Sequence, residues 1–208
     1  MLDVHVPQPT HTWKDFFIHV GTIVIGLLIA VGLEQTVETI HHRHQAAEAR
    51  ANIQEELSNN IKVLQFNLQH LVEGKQQLET SLDALNSSAS DAEVLTHLKY
   101  VWIHDRERDA AWEGAKIDGS LALIPPAQLS RVSYLYGGSD EITPTLFAYF
   151  RDIDTAAAIV DHARATGTLT ASERQQLIAR TLSALGCTRL LSGLYESRAE
   201  NIEQVHLR

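Results

Sequence analysis

The chain has 208 residues, a formal net charge of -9 and one cysteine, Cys187. This length allows one domain with a substantial core, and the acidic balance disfavours nucleic acid and anionic lipid headgroups, since both select basic surfaces. A single cysteine excludes an internal disulfide and a zinc ribbon, so Cys187 is expected to be a small buried residue on a helix.

The N-terminal region predicts a tail followed by a transmembrane helix. Residues 1–12 contain Pro7 and Pro9 without apolar periodicity, which indicates a flexible tail. Residues 16–33 contain no Asp, Glu, Lys or Arg, and as a helix they measure about 27 Å, close to the thickness of the hydrocarbon core of a bilayer. We therefore expect residues 13–34 to cross the lipid bilayer.

Two other interpretations of residues 16–33 stay open. The small residues at 30–32 are compatible with signal-peptide cleavage, although the apolar run exceeds the usual length and Asp15 stands where a positive charge is expected. A buried helix of a soluble domain is the other interpretation, although such a helix normally has one polar face. For a membrane helix, Lys14 favours the N-terminus inside and the main domain outside.

The same helix is predicted to continue beyond the membrane. No glycine or proline lies between Leu33 and Gly74, and the predicted end is near Asn86, at a serine-rich turn. Apolar residues then recur in a 4-3-4-3 heptad rhythm, interrupted at Lys75, which indicates a coiled-coil seam or one long helix of a bundle. The seam residues are Leu57, Ile61, Leu64, Leu68, Leu71, Leu78, Leu82 and Leu85.

Two capping boxes predict further helix starts. Ser90 and Glu93 open a helix that is expected to run to about His104, and Thr170 and Glu173 open the last helix. The apolar stripe of the last helix consists of Ile178, Leu182, Leu185, Leu191, Leu194, Ile202 and Val205.

Prolines and glycines delimit the helices between these two boxes. We predict a short helix over residues 109–116, then an irregular link from residue 118 to the proline pair Pro125–Pro126. The next helix is expected to start at that pair and to stop at Gly137–Gly138, and a further helix is expected from Ser139 or Asp140 to about residue 165.

These elements predict an all-α fold, in which an N-terminal transmembrane helix continues into a long helix of an antiparallel helical bundle. Residues 35–86 and 171–205 form the two long helices of that bundle. Gly186 and Gly193 indicate either close packing along the last helix or a local bend. The predicted limits are 1–12 for the tail, 13–34 for the transmembrane helix and 35–208 for the helical-bundle domain.

Small residues line one face of the membrane helix at a spacing of four. They are Thr22, Gly26 and Ala30. In lipid, packing drives helix association, so a face of small residues favours close approach of two helices. His19 shares this face and is interpreted either as a proton or ligand relay or as a hydrated histidine near the membrane edge. Association is also predicted along the heptad seam, at Leu57, Ile61, Leu64, Leu68 and Leu71.

One cluster carries metal-ligand residue types: Glu38, His41, His42 and His44. One helix offers two ligands on a face, and zinc requires three or four, so an oligomer would have to supply the rest. The alternative is a juxtamembrane polar collar that is partly cationic at mildly acid pH. No metal is predicted, and these four residues are the candidates.

The densest aromatic and charged patch outside the membrane segment lies between residues 102 and 113. It is interpreted either as a binding surface, since Trp and Arg are favoured anchors, or as core tryptophans beside a solvated turn. Its members are Trp102, His104, Asp105, Arg106, Glu107, Arg108, Trp112 and Glu113. Core or helix-contact positions are expected for Tyr134, Tyr136, Phe147, Tyr149 and Phe150.

No catalytic motif is found in the sequence. It contains no H-E-x-x-H, no G-x-S-x-G, no P-loop and no Rossmann glycine pattern. No catalytic residue and no cofactor is therefore predicted.

Four stretches carry a resemblance to a known family: WKDFF at 13–17, GLLIAVGLEQ at 26–35, EELSNN at 55–60 and AWEGAKIDGSLAL at 111–123. They resemble an uncharacterised family of small bacterial single-pass inner-membrane proteins with an N-terminal membrane helix and a helical extramembrane domain. The resemblance implies location in the bacterial inner membrane and no particular activity. With the charge rule, it implies a periplasmic main domain.

Together these patterns predict a non-enzymatic single-pass membrane protein that acts as a scaffold or accessory subunit through helix association. Its expected partners are the lipid bilayer and either further copies of itself or a larger membrane complex, without nucleic acid. The alternative is a sensor-like bundle that binds a small ligand and signals along a continuous helix from membrane to domain.

Overall fold

The computed structural model describes residues 13–137 and 139–205, and for residues 139–141 it describes the backbone alone. Within these ranges the structure is helical and contains no strand, so the all-α prediction is confirmed for this part of the chain. The predicted tail, residues 1–12, lies outside it. The helices are α1 (Trp13–Asn86), α2 (Asp91–His97), α3 (Ala110–Ile117), a 3-10 helix (Ser120–Leu123), α4 (Pro126–Gly137), α5 (Ser139–Thr166) and α6 (Ala171–Glu203).

The chain divides into two compact units, Met1–Ala47 and Glu48–Arg208. In the first unit, the described residues 13–47 are all helical. Near the N-terminus α1 contains a stretch that is long and apolar enough to cross a membrane, and none of that stretch is buried. The second unit contains the hydrophobic core, which begins at Ala49.

Local sequence signals place most helix ends correctly. α1 ends at Asn86, as predicted, and α4 spans Pro126–Gly137, so it begins at the second of the two predicted prolines and ends at the first of the two predicted glycines. Thr170 and Glu173 form the predicted capping box, in which each side chain accepts a hydrogen bond from the other's backbone N–H. Gly167 follows α5 with a φ of 73°, a left-handed conformation that costs other residues roughly 1 to 2 kcal/mol.

The helix predicted to continue to about His104 ends at His97. Residues 98–109 form no helix and are called the extended segment here. This segment begins at Leu98, whose φ of -75° and ψ of 118° are extended backbone values. The prediction of a longer helix was wrong, and the reason lies in α1.

Two asparagines of α1 supply the hydrogen bonds that a helix would otherwise have supplied. The Asn67 side chain accepts from the Asp105 N–H at 2.8 Å and donates to the Asp105 carbonyl at 2.9 Å. Asn60 makes the same pair of bonds with Arg108, both at 2.8 Å. These bonds are part-buried, and a backbone group in that position loses free energy when it has no partner, so the two side chains stabilise a conformation that has no partner strand.

The distance between the segment's contacts on α1 requires the segment to be almost fully extended. Ser81 accepts from the Lys99 N–H at 3.2 Å, so the contacts at Ser81 and Asn60 are 21 residues apart on α1. That distance is about 31 Å along a helix. The chain from Lys99 to Arg108 reaches roughly 30 Å at the rise of a β-strand. The segment therefore lies along α1 as a single strand would.

Side chains of the extended segment contact α5 and α6. The Tyr100 and Thr181 hydroxyl oxygens are 2.6 Å apart. The Trp102 ring stacks on Phe150 with the ring centroids 4.1 Å apart. Within the second unit, the segment thereby connects α1 to α5 and α6.

The buried face of α1 differs from the predicted seam at one position in each heptad. Leu57, Leu64, Leu71, Leu78 and Leu85 are buried, as predicted. The other predicted seam residues, Ile61, Leu68 and Leu82, are partly buried, and Lys75, which interrupts the rhythm, is exposed. Their place in the core is taken by Asn60, Asn67, Gly74 and Ser81. A search for apolar residues alone does not find this buried face, because one of its two positions in each heptad is a polar residue or glycine.

α6 deviates from its predicted stripe for the same reason. Leu182 is exposed, and Ile178, Leu185 and Leu194 are only partly buried. The Thr181 and Thr188 hydroxyls donate to carbonyls of their own helix, at 2.7 and 2.9 Å, so burial leaves neither unpaired. The buried residues are Leu177, Thr181, Ala184, Thr188, Leu191, Tyr195 and Ile202.

The close helix contact occurs at Gly74 and not at the glycines of α6. A Cβ placed on Gly186 or Gly193 would meet no atom within 4 Å, whereas on Gly74 it would lie 3.1 Å from the Tyr149 hydroxyl. The close-packing interpretation of Gly186 and Gly193 was therefore wrong. Gly74 makes room for Tyr149, and burial raises the pKa of that hydroxyl to about 12.

Candidate functional site

The second unit contains an open cleft of about 460 Å³ where the extended segment meets α4, α5 and α6. We call it the aromatic cleft. Its volume lies in the range of small-molecule sites. Its apolar wall comes from α5 and consists of Ile142, Leu146, Phe147 and Phe150.

Aromatic rings form one end of the cleft. The His104 ring lies parallel to Tyr195, with centroids 6.2 Å apart, and edge-on to Phe150 at 5.7 Å. Tyr195 is buried, whereas the neighbouring Phe147 is 66% exposed. An exposed phenylalanine beside buried rings leaves apolar surface that a ligand would cover.

An ion pair with a bifurcated hydrogen bond fixes the extended segment to α6. The Arg198 Nε donates to both carboxylate oxygens of Glu107, at 2.8 Å each, and Nη1 donates to the Leu135 carbonyl at 2.6 Å. Both side chains are largely buried. Burial raises the pKa of Glu107, and this effect exceeds the lowering by Arg198. The short hydrogen bonds of Arg198 offset part of the free-energy cost of removing these two charges from water.

Glu56 of α1 supports the opposite side of the cleft. Its carboxylate accepts from the Tyr136 hydroxyl at 2.6 Å and from the Ala111 N–H at 2.8 Å. Asp109 stands at the N-cap of α3 but its side chain makes no capping bond, so Glu56 satisfies that helix end from a distance. Burial, with the nearby carboxylates of Glu56 and Asp109, raises the pKa of Tyr136.

His104 is the titratable ring of the cleft. Its Nδ1 lies 3.3 Å from the Tyr195 hydroxyl oxygen. Burial lowers the pKa of His104, and Asp105 opposes that effect only in part. Burial also raises the pKa of Tyr195. The folded protein therefore favours the neutral form of both side chains.

Acidification is expected to destabilise the second unit through His104. Because its pKa is lowered on folding, its contribution to stability is full above the usual imidazole pKa and is lost as pH falls through the folded-state value. Between about pH 7.5 and about pH 5, the free energy of unfolding should fall more for the wild type than for His104→Gln. Denaturant titration at several pH values measures this. The exposed His97→Gln is the control and should keep the wild-type slope; equal slopes for all three proteins would contradict the prediction.

Two arginines line the cleft without a partner among the described residues. The Arg106 and Arg108 backbones are bonded to Asp105 and Asn60, but neither guanidinium makes a hydrogen bond or ion pair there. Asp109 also lines the cleft. Counting the Glu107–Arg198 pair as neutral, the cleft is slightly cationic in a chain of formal charge -9.

The predicted association face of the membrane helix is open in the structure. Thr22, Gly26 and Ala30 are exposed, and a Cβ placed on Gly26 would meet nothing within 4 Å. The Thr22 hydroxyl donates to the Ile18 carbonyl of its own helix at 2.9 Å. Self-association through this face stays a prediction.

The seam residues have a different environment. Leu57, Leu64 and Leu71 are buried in the core of the second unit, and Ile61 and Leu68 pack against that core in part. Their side chains therefore contact other parts of the same chain. The membrane face is the part of the predicted association surface that remains accessible in a single copy.

The metal-ligand candidates are exposed on α1. Glu38 Oε1 and His42 Nε2 are 4.0 Å apart, and the His41 and His42 ring centroids are 6.4 Å apart. Among the described residues, no group of three or more His, Cys, Asp or Glu is placed to hold a metal ion. A site that includes His44 would still need ligands from a second copy.

The aromatic residues that were predicted to lie in the core are only partly found there. Trp112 and Tyr149 are buried, as predicted, and Trp112 stacks on the partly buried Tyr136. Trp102 is 41% exposed, so its assignment to the core was wrong. Tyr134 and Phe147 are 69% and 66% exposed, so their assignment to the core was wrong.

The sequence interpretation missed Tyr195 and Arg198 as cleft residues. A signal for Tyr195 was present, because it lies one heptad after Thr188 and two after Thr181, on the buried face of α6. Nothing local indicates Arg198, whose partner Glu107 is 91 residues away.

Comparison with known proteins identified no relative of this chain. No family model matches the chain, and no similar protein was found among curated proteins or solved structures. The resemblance to a bacterial inner-membrane family therefore stays a prediction from the motifs. The function has to be inferred from the geometry and chemistry of the chain itself.

Proposed function

We propose that the protein is a single-pass protein of the bacterial inner membrane that acts as a scaffold or accessory subunit. The observation that carries the proposal is the unburied apolar stretch of α1. Each large apolar side chain left in water costs roughly 1.5 to 3 kcal/mol relative to burial. Among the described residues nothing covers this stretch, so a bilayer is its natural environment.

In this proposal the membrane helix also provides the contact with a second copy or with a larger membrane complex. Support comes from the open face at Thr22, Gly26 and Ala30. Small side chains on one face let helix backbones approach closely, which is how helices gain packing energy in lipid. The larger unit then lies in the periplasm, the side favoured by Lys14.

The anchor is tested by mass and by membrane retention. The protein should keep its N-terminus and stay with membranes after an alkaline carbonate wash. Loss of about 32 residues, with the protein free in the periplasm, would establish a cleaved signal peptide and reject the anchor.

Association is tested with a matched pair of substitutions. Gly26→Ile should weaken self-association or complex formation in detergent, whereas Gly21→Ile, on another face of the same helix, should not. Light scattering corrected for detergent gives the mass of each. A monomeric wild type that also purifies without any partner would reject the scaffold proposal.

A second function is favoured by one observation, the aromatic cleft. It combines an apolar wall with polar groups that converge on it, as ligand sites do. In this version the second unit is an antiparallel bundle that binds a small ligand. A rod formed by α1 carries the change towards the membrane, and a separate partner provides the signalling output.

A further inference from the structure

We propose that the aromatic cleft binds a small amphipathic monocarboxylate, whose apolar body packs on α5 and whose carboxylate is bound by Arg106 and Arg108. The inference rests on the second function proposed above, a domain that binds a small ligand. It adds the chemical class of that ligand.

The apolar wall determines the body of the ligand. Phe147 is 66% exposed and continues the surface of Leu146 and Phe150. A ring or short alkyl chain laid on this wall would remove apolar area from water without moving the backbone. A wholly polar ligand would leave Phe147 in contact with water.

The arginines determine the charge of the ligand. Arg106 and Arg108 line the cleft and lack acidic partners among the described residues. Guanidinium groups bind carboxylates with two parallel hydrogen bonds, which favours a planar anion. Glu107 does not compete for them, since Arg198 binds both of its oxygens. Asp109 disfavours a second negative charge, so a monoanion fits better than a dianion.

The test uses three molecules that differ only in the charge of the end group. They are 3-phenylpropanoate, 3-phenylpropan-1-ol and 3-phenylpropylamine, titrated into the full-length protein in phosphatidylcholine nanodiscs by calorimetry. The carboxylate should bind at least about tenfold more tightly than the alcohol or the amine, and its affinity should fall with added salt.

Substitutions separate the two parts of the site. Arg106→Gln with Arg108→Gln should reduce carboxylate binding to the level of the alcohol, while Arg189→Gln, an exposed arginine outside the cleft, should leave it unchanged. Phe147→Ala should weaken both the carboxylate and the alcohol.

The outcomes distinguish the two levels of the proposal. Equal binding of alcohol and carboxylate, with both weakened by Phe147→Ala, would overturn the anionic class and leave the ligand-binding function standing. A carboxylate preference that survives loss of both arginines would overturn their role. Absence of binding by all three molecules would overturn the cleft as a ligand site and the class with it.

Discussion

Replacing Asn60 and Asn67 together by leucine is expected to lower the free energy of unfolding of the second unit by at least about 4 kcal/mol. The substitution leaves the N–H and carbonyl groups of Asp105 and Arg108 without partners. These hydrogen bonds are part-buried, and each backbone group that loses its partner there costs about 1 kcal/mol or more. A typical domain has a total stability of about 5 to 15 kcal/mol, so this loss threatens the fold.

Each single variant should lose about half of that amount, and the two losses should add if the contacts are independent. Chemical denaturation in mild detergent measures this, with the fluorescence of Trp102 and Trp112 as the signal. Asn59→Leu is the matched control: among the described residues its side chain bonds only to the exposed Lys62, so a change within about 0.5 kcal/mol is expected. A double variant as stable as the wild type would show that the asparagines do not hold the segment.

Removing one member of the Glu107–Arg198 pair is expected to cost about 3 to 5 kcal/mol. Glu107→Leu leaves the guanidinium of Arg198 buried with no opposite charge, and uncompensated buried charge carries a penalty of this size. Because burial raises the pKa of Glu107 in spite of Arg198, the attraction within the pair does not fully offset the cost of burying the carboxylate.

The double variant Glu107→Leu with Arg198→Met is therefore expected to recover much of the loss. Recovery should be incomplete, since the Leu135 carbonyl loses the bond from Arg198, worth about 1 to 3 kcal/mol. A thermodynamic cycle from denaturation of all four proteins gives the coupling. If Glu107→Leu alone were as stable as the double variant, the buried-charge argument would be wrong.

The parts of the fold that sequence analysis predicts are those determined by neighbouring residues. The capping box at Thr170, the start of α4 at Pro126 and the end of α1 at Asn86 depend on chemistry within about four residues. These local signals do not depend on the rest of the fold, so they can be recognised in the sequence alone. The apolar stretch of α1 can also be recognised in the sequence, because it is defined by its composition.

The extended segment was mispredicted because its partners are remote. A helix through His104 agrees with local propensity. It is overridden by distant contacts, chiefly those of Asn60 and Asn67, which precede their partners in the segment by 48 and 38 residues. Asn60 and Asn67 are also the reason that half of the predicted seam of α1 was one position off. The prediction considered apolar residues alone, so it chose Ile61 and Leu68 instead of the buried asparagines. The aromatic cleft could not be predicted either, because Tyr195 meets His104 across 91 residues.

The extended segment also determines when the larger unit can finish folding. Helical bundles fold fast because most of their contacts are local in sequence. Here the strand-like residues must find α1 across 38 and 48 residues and α6 across 81 and 91. Since α6 is synthesised after the extended segment, Tyr100 and Glu107 cannot contact Thr181 and Arg198 until that helix has been made. The unit therefore cannot complete its packing before α6 has been synthesised, and the surfaces that Tyr100 and Glu107 later contact stay open to other chains during that interval.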